Sequence, residues 1–162
     1  MPLSYYGAGK AAIEAFIIAF CQQQNRPATI LRPTNFYGPG QSCQPGFGII
    51  PTIFDCLLKS KALPIWGDGK SVRDYLYIDD FIELCTQIST SPSPPDLRIY
   101  NVGSGLGYSI NSLCDLIEEV TNKQIIREYH PSRSVDVQRV VLDCSRIEHD
   151  HAWHAQTDLT TG

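Results

Sequence analysis

The feature that most constrains this chain is an apolar stretch near its start, Ala11 to Phe20, in which Glu14 is the one charged residue. Alanines and long side chains without proline predict an α-helix over residues ~6 to 22, and so apolar a helix is predicted to be buried. Ala28 to Arg32 follows as a short buried strand that ends at Pro33. A helix followed by such a strand is half of a doubly wound α/β unit.

Two side chains of the first helix are suited to chemistry. Tyr6 and Lys10 are four residues apart and therefore share one face of the helix. An ammonium group close to a tyrosine hydroxyl favours the phenolate, which makes such a pair a candidate proton acceptor and donor near neutral pH. The alternative is a surface tyrosine beside a solvated lysine, and the spacing alone does not separate the two.

The rest of the chain alternates between helices and strands, with no internal repeat. The predicted helices cover residues 49–59, 80–89, 110–121 and 145–149, and the predicted strands cover 63–66, 72–78, 98–102, 125–129 and 140–142. Asp79 and Asp80 are interpreted as caps of the second of these helices, and Ser109 as the N-cap of the third. Residues 33–47, rich in glycine and proline, are predicted to be a long loop of the kind that binds ligands in open α/β sheets.

Five stretches occur in an order that resembles one enzyme family: Ser4–Lys10, Arg32–Gly40, Trp66–Gly69, Arg73–Asp80 and Asn101–Gly105. They resemble the extended short-chain dehydrogenase/reductases, and within them the nucleotide-sugar epimerases of the UDP-glucose 4-epimerase type. The resemblance implies an α/β fold that is an incomplete doubly wound, Rossmann-like fold. It would comprise the C-terminal part of the parallel sheet and the smaller substrate-binding subdomain.

The family holds NAD on a glycine-rich turn that precedes the catalytic helix, and no such turn precedes Tyr6. We therefore expect residues 1–162 to be the C-terminal portion of a longer enzyme, without its N-terminal NAD-binding half. The turn from Gly103 to Gly107 imitates a dinucleotide fingerprint but lacks its third glycine. It is interpreted as a tight turn that leads into a helix.

The resemblance implies roles for the residues near the cofactor. Tyr6 would relay the proton of the sugar C4 hydroxyl while a hydride moves between C4 and NAD. Lys10 would tune Tyr6 and bind the nicotinamide ribose, and Pro33 would lie beside the cofactor. If the 4-keto sugar turns over before the hydride returns, the product is the C4 epimer.

The resemblance also implies a set of substrate contacts. Arg73 and Arg133 would clamp the nucleotide diphosphate, because a guanidinium fork binds two phosphate oxygens at once. Asn35 would donate to the phosphate side, and Asp136 would accept a bond from a ribose hydroxyl. For either arginine, the alternative is a surface side chain with a solvated partner.

Three further substrate contacts are apolar. Pro64 and Trp66 match the stretch against which uracil lies, although an apolar residue beside Gly67 could equally be core. Val140 stands where epimerases restricted to glucose and galactose carry a bulky tyrosine. Its smaller side chain would leave room for a 2-N-acetyl group.

Composition limits the remaining functions. A formal net charge of -4 and a pI near 5.5 provide no basic face for nucleic acid. The apolar run is too short to span a membrane, so we expect a cytoplasmic protein without membrane contact.

The six cysteines are widely spaced, which favours reduced and mostly buried thiols. Cys144 with His149, His151 and His154 fits no familiar ligand spacing, so no metal is predicted.

Several functions stay open. The first is an NAD-dependent nucleotide-sugar 4-epimerase, inactive as this chain alone and homodimeric through the helix of Tyr6 in its complete form. A nucleotide-sugar 4,6-dehydratase or decarboxylase is the near alternative. A non-catalytic nucleotide-sugar binding module, or an inactive remnant, is the alternative from another class.

Overall fold

A computed structural model describes residues 4–44, 47–92, 96–133 and 137–162. The helices are α1 (Tyr5–Gln24), α2 (Ile49–Leu58), α3 (Ile78–Thr90), α4 (Ile110–Thr121) and α5 (Ser145–His151). The strands are β1 (Ala28–Pro33), β2 (Asn35–Tyr37), β3 (Leu63–Trp66), β4 (Val72–Arg73), β5 (Tyr75–Tyr77), β6 (Leu97–Val102), β7 (Tyr108–Ser109), β8 (Arg127–His130) and β9 (Arg139–Val140).

The strands form short sheets that are mostly parallel. β1 pairs with β6, β2 with β5, and β3 with β8, all in parallel. β4 lies between β9, to which it is parallel, and β7, to which it is antiparallel. Parallel strands that alternate with helices confirm the predicted α/β class.

Two apolar clusters form the core. One joins α2, β3 and α4, and the other joins β5, α3, β6 and α5. Side chains that are almost completely buried anchor both clusters: Ile53, Leu63, Ile65 and Leu113 in the first, and Leu76, Leu84, Val102 and Ile147 in the second. The apolar positions of these helices follow helical spacing, which is why one face of each helix is buried.

Local hydrogen bonds fix several helix ends, and one of them confirms a prediction. Ser4 caps α1, since its side chain accepts a bond from the Gly7 N–H, and Asn25 ends the helix in the left-handed conformation. Ser109 caps α4 as predicted and accepts from the Ser112 N–H at 3.0 Å. Such caps depend on neighbours three or four residues away, so the sequence is sufficient to predict them.

The prediction that α1 is buried is wrong for the described chain. Phe16 is 78% exposed and Phe20 60% exposed, and Cys21 is the buried residue of the helix. The apolar side chains surround the helix, whereas the described residues of the chain cover mainly its C-terminal end. The resemblance placed a homodimer contact on this helix, and that contact stays a prediction.

The structure corrects two of the predicted strands and loops. The strand predicted over 72–78 is divided at Asp74 into β4 and β5, which pair with different neighbours. The loop predicted over 33–47 contains the short strand β2. Both corrections have the same cause. β2 and β5 pair with each other although they are far apart in the sequence, and a local sequence pattern does not reveal such pairing.

The caps predicted for α3 are also wrong. α3 begins at Ile78 with Tyr77 at its N-cap, and its cap makes no side-chain hydrogen bond. Asp79 and Asp80 lie in the first turn, where a carboxylate still interacts favourably with the helix dipole. Asp80 is buried and accepts bonds from the N–H groups of Gln156 and Thr157 and from the Thr157 hydroxyl. It therefore binds a distant segment instead of capping its own helix.

The cysteines agree with the prediction of reduced and mostly buried thiols. All six are unbridged; Cys21, Cys56 and Cys114 are buried, and Cys43 is exposed. Burial raises the pKa of the Cys114 and Cys144 thiols to about 11, so both are protonated at neutral pH.

Candidate functional site

A cavity of about 500 Å³ collects five of the predicted substrate residues: Asn35, Pro64, Trp66, Arg73 and Arg133. They come from β2, β3, β4 and the segment after β8, which are far apart in the chain. β3 and β8 pair in parallel with Trp66 opposite His130, so their carboxyl ends meet at one edge. That edge is where open α/β sheets bind ligands.

Trp66 provides an aromatic surface at this cavity. Its side chain is 44% exposed, and the His130 ring lies beside it with 4.9 Å between ring centroids. The Cζ atom of Arg133 lies 5.2 Å from the centre of the Trp66 ring, within cation–π range. A planar group that enters the cavity therefore meets an aromatic face with a guanidinium beside it.

The polar groups of β2 and β4 are partly engaged within the protein. Arg73 donates from Nη1 to the Val72 carbonyl at 2.8 Å, which uses one of the five donors of its guanidinium. Asn35 donates from Nδ2 to the carbonyl of Asp74 at 3.0 Å. These bonds hold both side chains in place at the cavity wall.

Tyr75 also lines the cavity, and sequence reasoning did not single it out. Burial raises the pKa of its hydroxyl to about 12, although the nearby Arg73 opposes the shift. The hydroxyl is therefore protonated at neutral pH and is suited to donate a hydrogen bond, not to accept a proton as a base.

Tyr6 and Lys10 share one flank of α1, as the spacing predicted. The Lys10 Nζ atom lies 5.5 Å from the centre of the Tyr6 ring, and Tyr6 is 76% exposed. Neither residue lines the cavity of Trp66 and Arg73. The pair is thus accessible at the N-terminal end of α1.

An ion pair holds this flank against the end of β1. Glu14, one turn after Lys10, accepts from Arg32 Nε at 2.9 Å and from Nη2 at 2.5 Å. Arg32 directly precedes Pro33, the exposed last residue of β1. The ion pair therefore ties together the two parts of the chain that carry the predicted cofactor-binding residues.

We expect a small, pH-dependent loss of stability when Glu14 is replaced by glutamine. Hydrogen bonds from Arg32 lower the pKa of Glu14 below its usual 4.5, so the stabilisation is present above pH 4.5 and disappears as the pH falls through the lowered value. Arg32 is half exposed, which limits the effect at pH 7 to less than about 1 kcal/mol. Urea unfolding at pH 7 and about pH 3 measures it.

Glu119→Gln is the matched control, because Glu119 is an exposed glutamate on α4. It should change the free energy of unfolding little at either pH. An equal loss in the Glu14→Gln protein at both pH values would contradict the role of the ion pair.

Val140 is the predicted substrate residue that the structure describes outside the cavity. Val140 lies opposite Arg73 in the ladder of β4 and β9 and is 36% exposed, but it is not part of the cavity wall. Asp136 lies outside the described residues. The proposed roles of both stay predictions.

Sequence reasoning missed Asp74, the residue between Arg73 and Tyr75. It is completely buried, and its carboxylate accepts bonds from Ser104, Gly105 and Leu142. The one signal in the sequence was an acidic residue inside the predicted strand 72–78. The turn that imitated a dinucleotide fingerprint uses its N–H groups on this carboxylate, in agreement with its interpretation as a structural turn.

The histidines near the C-terminus make contacts within the protein. His149 Nδ1 lies 2.9 Å from Asp150, and the His151 ring packs edge-on against Tyr100 with 5.2 Å between centroids. Among the described residues, no group of three or more His, Cys, Asp or Glu side chains could hold a metal ion. None of the helices in the described ranges is long and apolar enough to cross a membrane.

Parallel strands, flanking helices and a cavity at the strand ends place the chain in the Rossmann-like α/β class. Residues 1–103 match the NAD dependent epimerase/dehydratase family, and the chain belongs to this family. The structure superimposes with a TM-score of 0.92 on the UDP-glucose 4-epimerase of Thermotoga maritima, solved with UDP-glucose. The two sequences are 29% identical, and the match covers 100% of this chain and 52% of that one.

Two relatives illustrate the range of reactions. The chain is 30% identical over 161 residues to the UDP-glucose 4-epimerase of Mycolicibacterium smegmatis, covering 99% of this chain and 51% of that protein. It is 27% identical over 173 residues to the dTDP-glucose 4,6-dehydratase of Haemophilus influenzae, with coverage of 99% and 50%. The chain spans about half the length of these relatives.

Proposed function

We propose that this chain is the catalytic-helix and substrate-binding portion of an NAD-dependent nucleotide-sugar 4-epimerase that acts on a UDP-hexose or UDP-N-acetylhexosamine. The observation that carries the proposal is the cavity in which Arg73, Arg133 and Trp66 come together. A nucleotide diphosphate presents a planar base and several phosphate oxygens. Both chemical groups have a matching partner in this cavity.

The phosphate side of the proposal rests on charge. Arg73 enters the cavity from β4, and Arg133 enters from the segment that follows β8. Guanidinium groups from separate segments suit a diphosphate, because each can bind two oxygens in a planar fork. The base would lie against Trp66, which is partly exposed and lines the same cavity.

The catalytic side of the proposal rests on the flank of α1. The exposed Tyr6, as a phenolate beside the Lys10 ammonium, would take the proton of the C4 hydroxyl and become the neutral phenol, and it would give the proton back when the hydride returns. NAD, when bound, supplies the hydride acceptor and donor for C4. Lys10 and Pro33 fit a role beside it, because the Glu14–Arg32 pair brings the end of β1 against the helix that carries Lys10.

We expect Arg73→Gln to weaken UDP binding ten- to a hundredfold, because a hydrogen bond to a charged group contributes about 1.5 to 3 kcal/mol. Isothermal titration calorimetry of the 162-residue chain with UDP measures the change. The control is Arg98→Gln, since Arg98 pairs with Asp96 at 2.9 Å and lies outside the cavity. It should bind UDP as the wild type does. A folded wild-type chain that does not bind UDP would overturn the proposed function.

A 4,6-dehydratase is the second candidate, supported by the similarity to the Haemophilus influenzae enzyme. The nucleotide separates the proposed UDP-sugar epimerase from this dehydratase, because the Mycolicibacterium smegmatis epimerase is named for a UDP sugar and the dehydratase for a dTDP sugar. Tighter binding of UDP-glucose than of dTDP-glucose supports the proposed epimerase, and the reverse order contradicts the proposed UDP sugar and favours a dTDP sugar, the kind for which this dehydratase is named.

A further inference from the structure

The Asp74 carboxylate is the centre of a buried hydrogen-bond network next to the cavity. Its side chain has no solvent exposure. Oδ1 accepts from the Ser104 N–H at 3.0 Å and from the Ser104 hydroxyl at 2.7 Å. Oδ2 accepts from the N–H groups of Gly105 at 3.2 Å and Leu142 at 3.3 Å. Oδ1 therefore binds the turn after β6, and Oδ2 binds both that turn and the segment after β9.

The main chain of Asp74 binds two other segments. Its carbonyl accepts from Thr34 Oγ1 at 2.9 Å and from Asn35 Nδ2 at 3.0 Å. Its N–H donates to the Val140 carbonyl at 3.1 Å. One residue thus connects the start of β2, the end of β9 and the turn after β6.

The turn at Gly103 is shaped around this carboxylate. A Cβ atom at Gly103 would lie 2.5 Å from Asp74 Oδ2, closer than real Cβ contacts allow. Gly105 adopts a φ of +72°, a conformation that favours glycine, and its N–H points at the same oxygen. The close approach requires glycine at position 103, and the positive φ favours it at position 105.

We propose that Asp74 is a positioning residue for the nucleotide-sugar site. The Asn35 side chain donates to the Asp74 carbonyl, and the Val140 carbonyl accepts from the Asp74 N–H. Arg73 directly precedes Asp74 in the chain. Because Asp74 is fully buried, it acts on the substrate only through these residues. The inference rests on the proposed function, in which Asn35 and Arg73 contact the substrate.

Asp74→Asn tests the proposal with a side chain of the same shape. In either orientation of the amide, its NH2 group faces backbone N–H groups that need an acceptor. The segments that follow β6 and β9 should therefore shift relative to Arg73. We expect the affinity for UDP, measured by calorimetry, to fall about tenfold, since displaced binding groups lose much of their effect.

Asp80→Asn is the matched control. Asp80 is also a buried carboxylate with three hydrogen bonds, but its partners are Gln156 and Thr157 and it does not line the cavity. This variant should lower the melting temperature while the affinity for UDP stays unchanged. An equal fall in UDP affinity in both variants, or none in a folded Asp74→Asn protein, would overturn the positioning role.

Hydrogen exchange provides a readout that needs no ligand. Asp74→Asn should speed amide exchange in residues 103–106 and 139–142, whose N–H groups bind the carboxylate, whereas Asp80→Asn should do so in residues 155–158. If the wild type fails to bind UDP, the proposed function is lost, and exchange alone then decides whether Asp74 holds these segments. Unchanged exchange in residues 103–106 and 139–142 of Asp74→Asn would overturn that role.

Ser104→Ala is a milder variant in case Asp74→Asn does not fold. It removes the hydroxyl donor to Oδ1 and keeps the N–H donor. The same segments should exchange faster, and UDP affinity should fall by a smaller factor of about two to three. No change in either measurement would contradict the proposal.

Discussion

Replacing Ile53 by alanine should lower the free energy of unfolding by about 2 to 5 kcal/mol. Ile53 is completely buried in the cluster that joins α2 to β3 and α4, where it lies with Leu63, Ile65 and Leu113. Alanine removes three carbon atoms and leaves a cavity that these helices and strands cannot fill without moving. Urea unfolding followed by circular dichroism measures the loss.

Ile82→Ala is the control for this substitution. Ile82 lies on α3 and is 54% exposed, so its truncation removes little buried surface. Its effect should stay within about 0.5 kcal/mol, because surface substitutions rarely exceed that value. Equal effects of the two substitutions would show that the cluster around Ile53 does not determine stability.

Replacing Gly69 by alanine should cost about 3 kcal/mol, for two reasons. Gly69 adopts a φ of +72°, which strains any residue with a Cβ atom. The new Cβ would also lie 2.2 Å from Asn111 Oδ1 and 2.7 Å from its Cγ. Asn111 cannot move away easily, since it donates to the Asp68 carbonyl and accepts from the Tyr129 hydroxyl. Thermal and urea unfolding measure the combined effect.

Gly40→Ala separates the two causes. Gly40 has a similar φ of +83°, but no atom lies within 4 Å of its added Cβ. It should cost only the backbone term of about 1 to 2 kcal/mol. The difference between the two variants measures the crowding against Asn111. If Gly40→Ala is as destabilising as Gly69→Ala, crowding against Asn111 does not contribute to the loss of unfolding free energy.

The turn at Gly69 also bears on the site, because it follows Trp66 directly. The Asn111 main-chain N–H donates to the Gly69 carbonyl, so the turn is tied to the first residues of α4. A shift of this turn in Gly69→Ala should move Trp66 relative to Arg133. Tryptophan fluorescence of the variant is a second readout of the same substitution.

Local chemistry was enough to predict most of the helices and the pairing of Tyr6 with Lys10. Ser109 caps α4 through a bond to Ser112, and Tyr6 shares a flank with Lys10 because a helix repeats every 3.6 residues. These features depend on neighbours within about four residues, so the order of amino acids contains the information directly. Arg73 and Arg133, in contrast, were proposed as substrate contacts because their short motifs resemble those of the family.

The tertiary structure decided which of these residues meet and what the buried carboxylates bind. Trp66 reaches Arg133 only because β3 pairs in parallel with β8, and Asp74 divides a predicted strand because its bonds go to Ser104 and Leu142. Strand register and long-range hydrogen bonds depend on the closure of long loops, which a short sequence window does not encode. The sequence by itself thus determined the chemical groups, and their arrangement around one cavity came from the packing of distant segments.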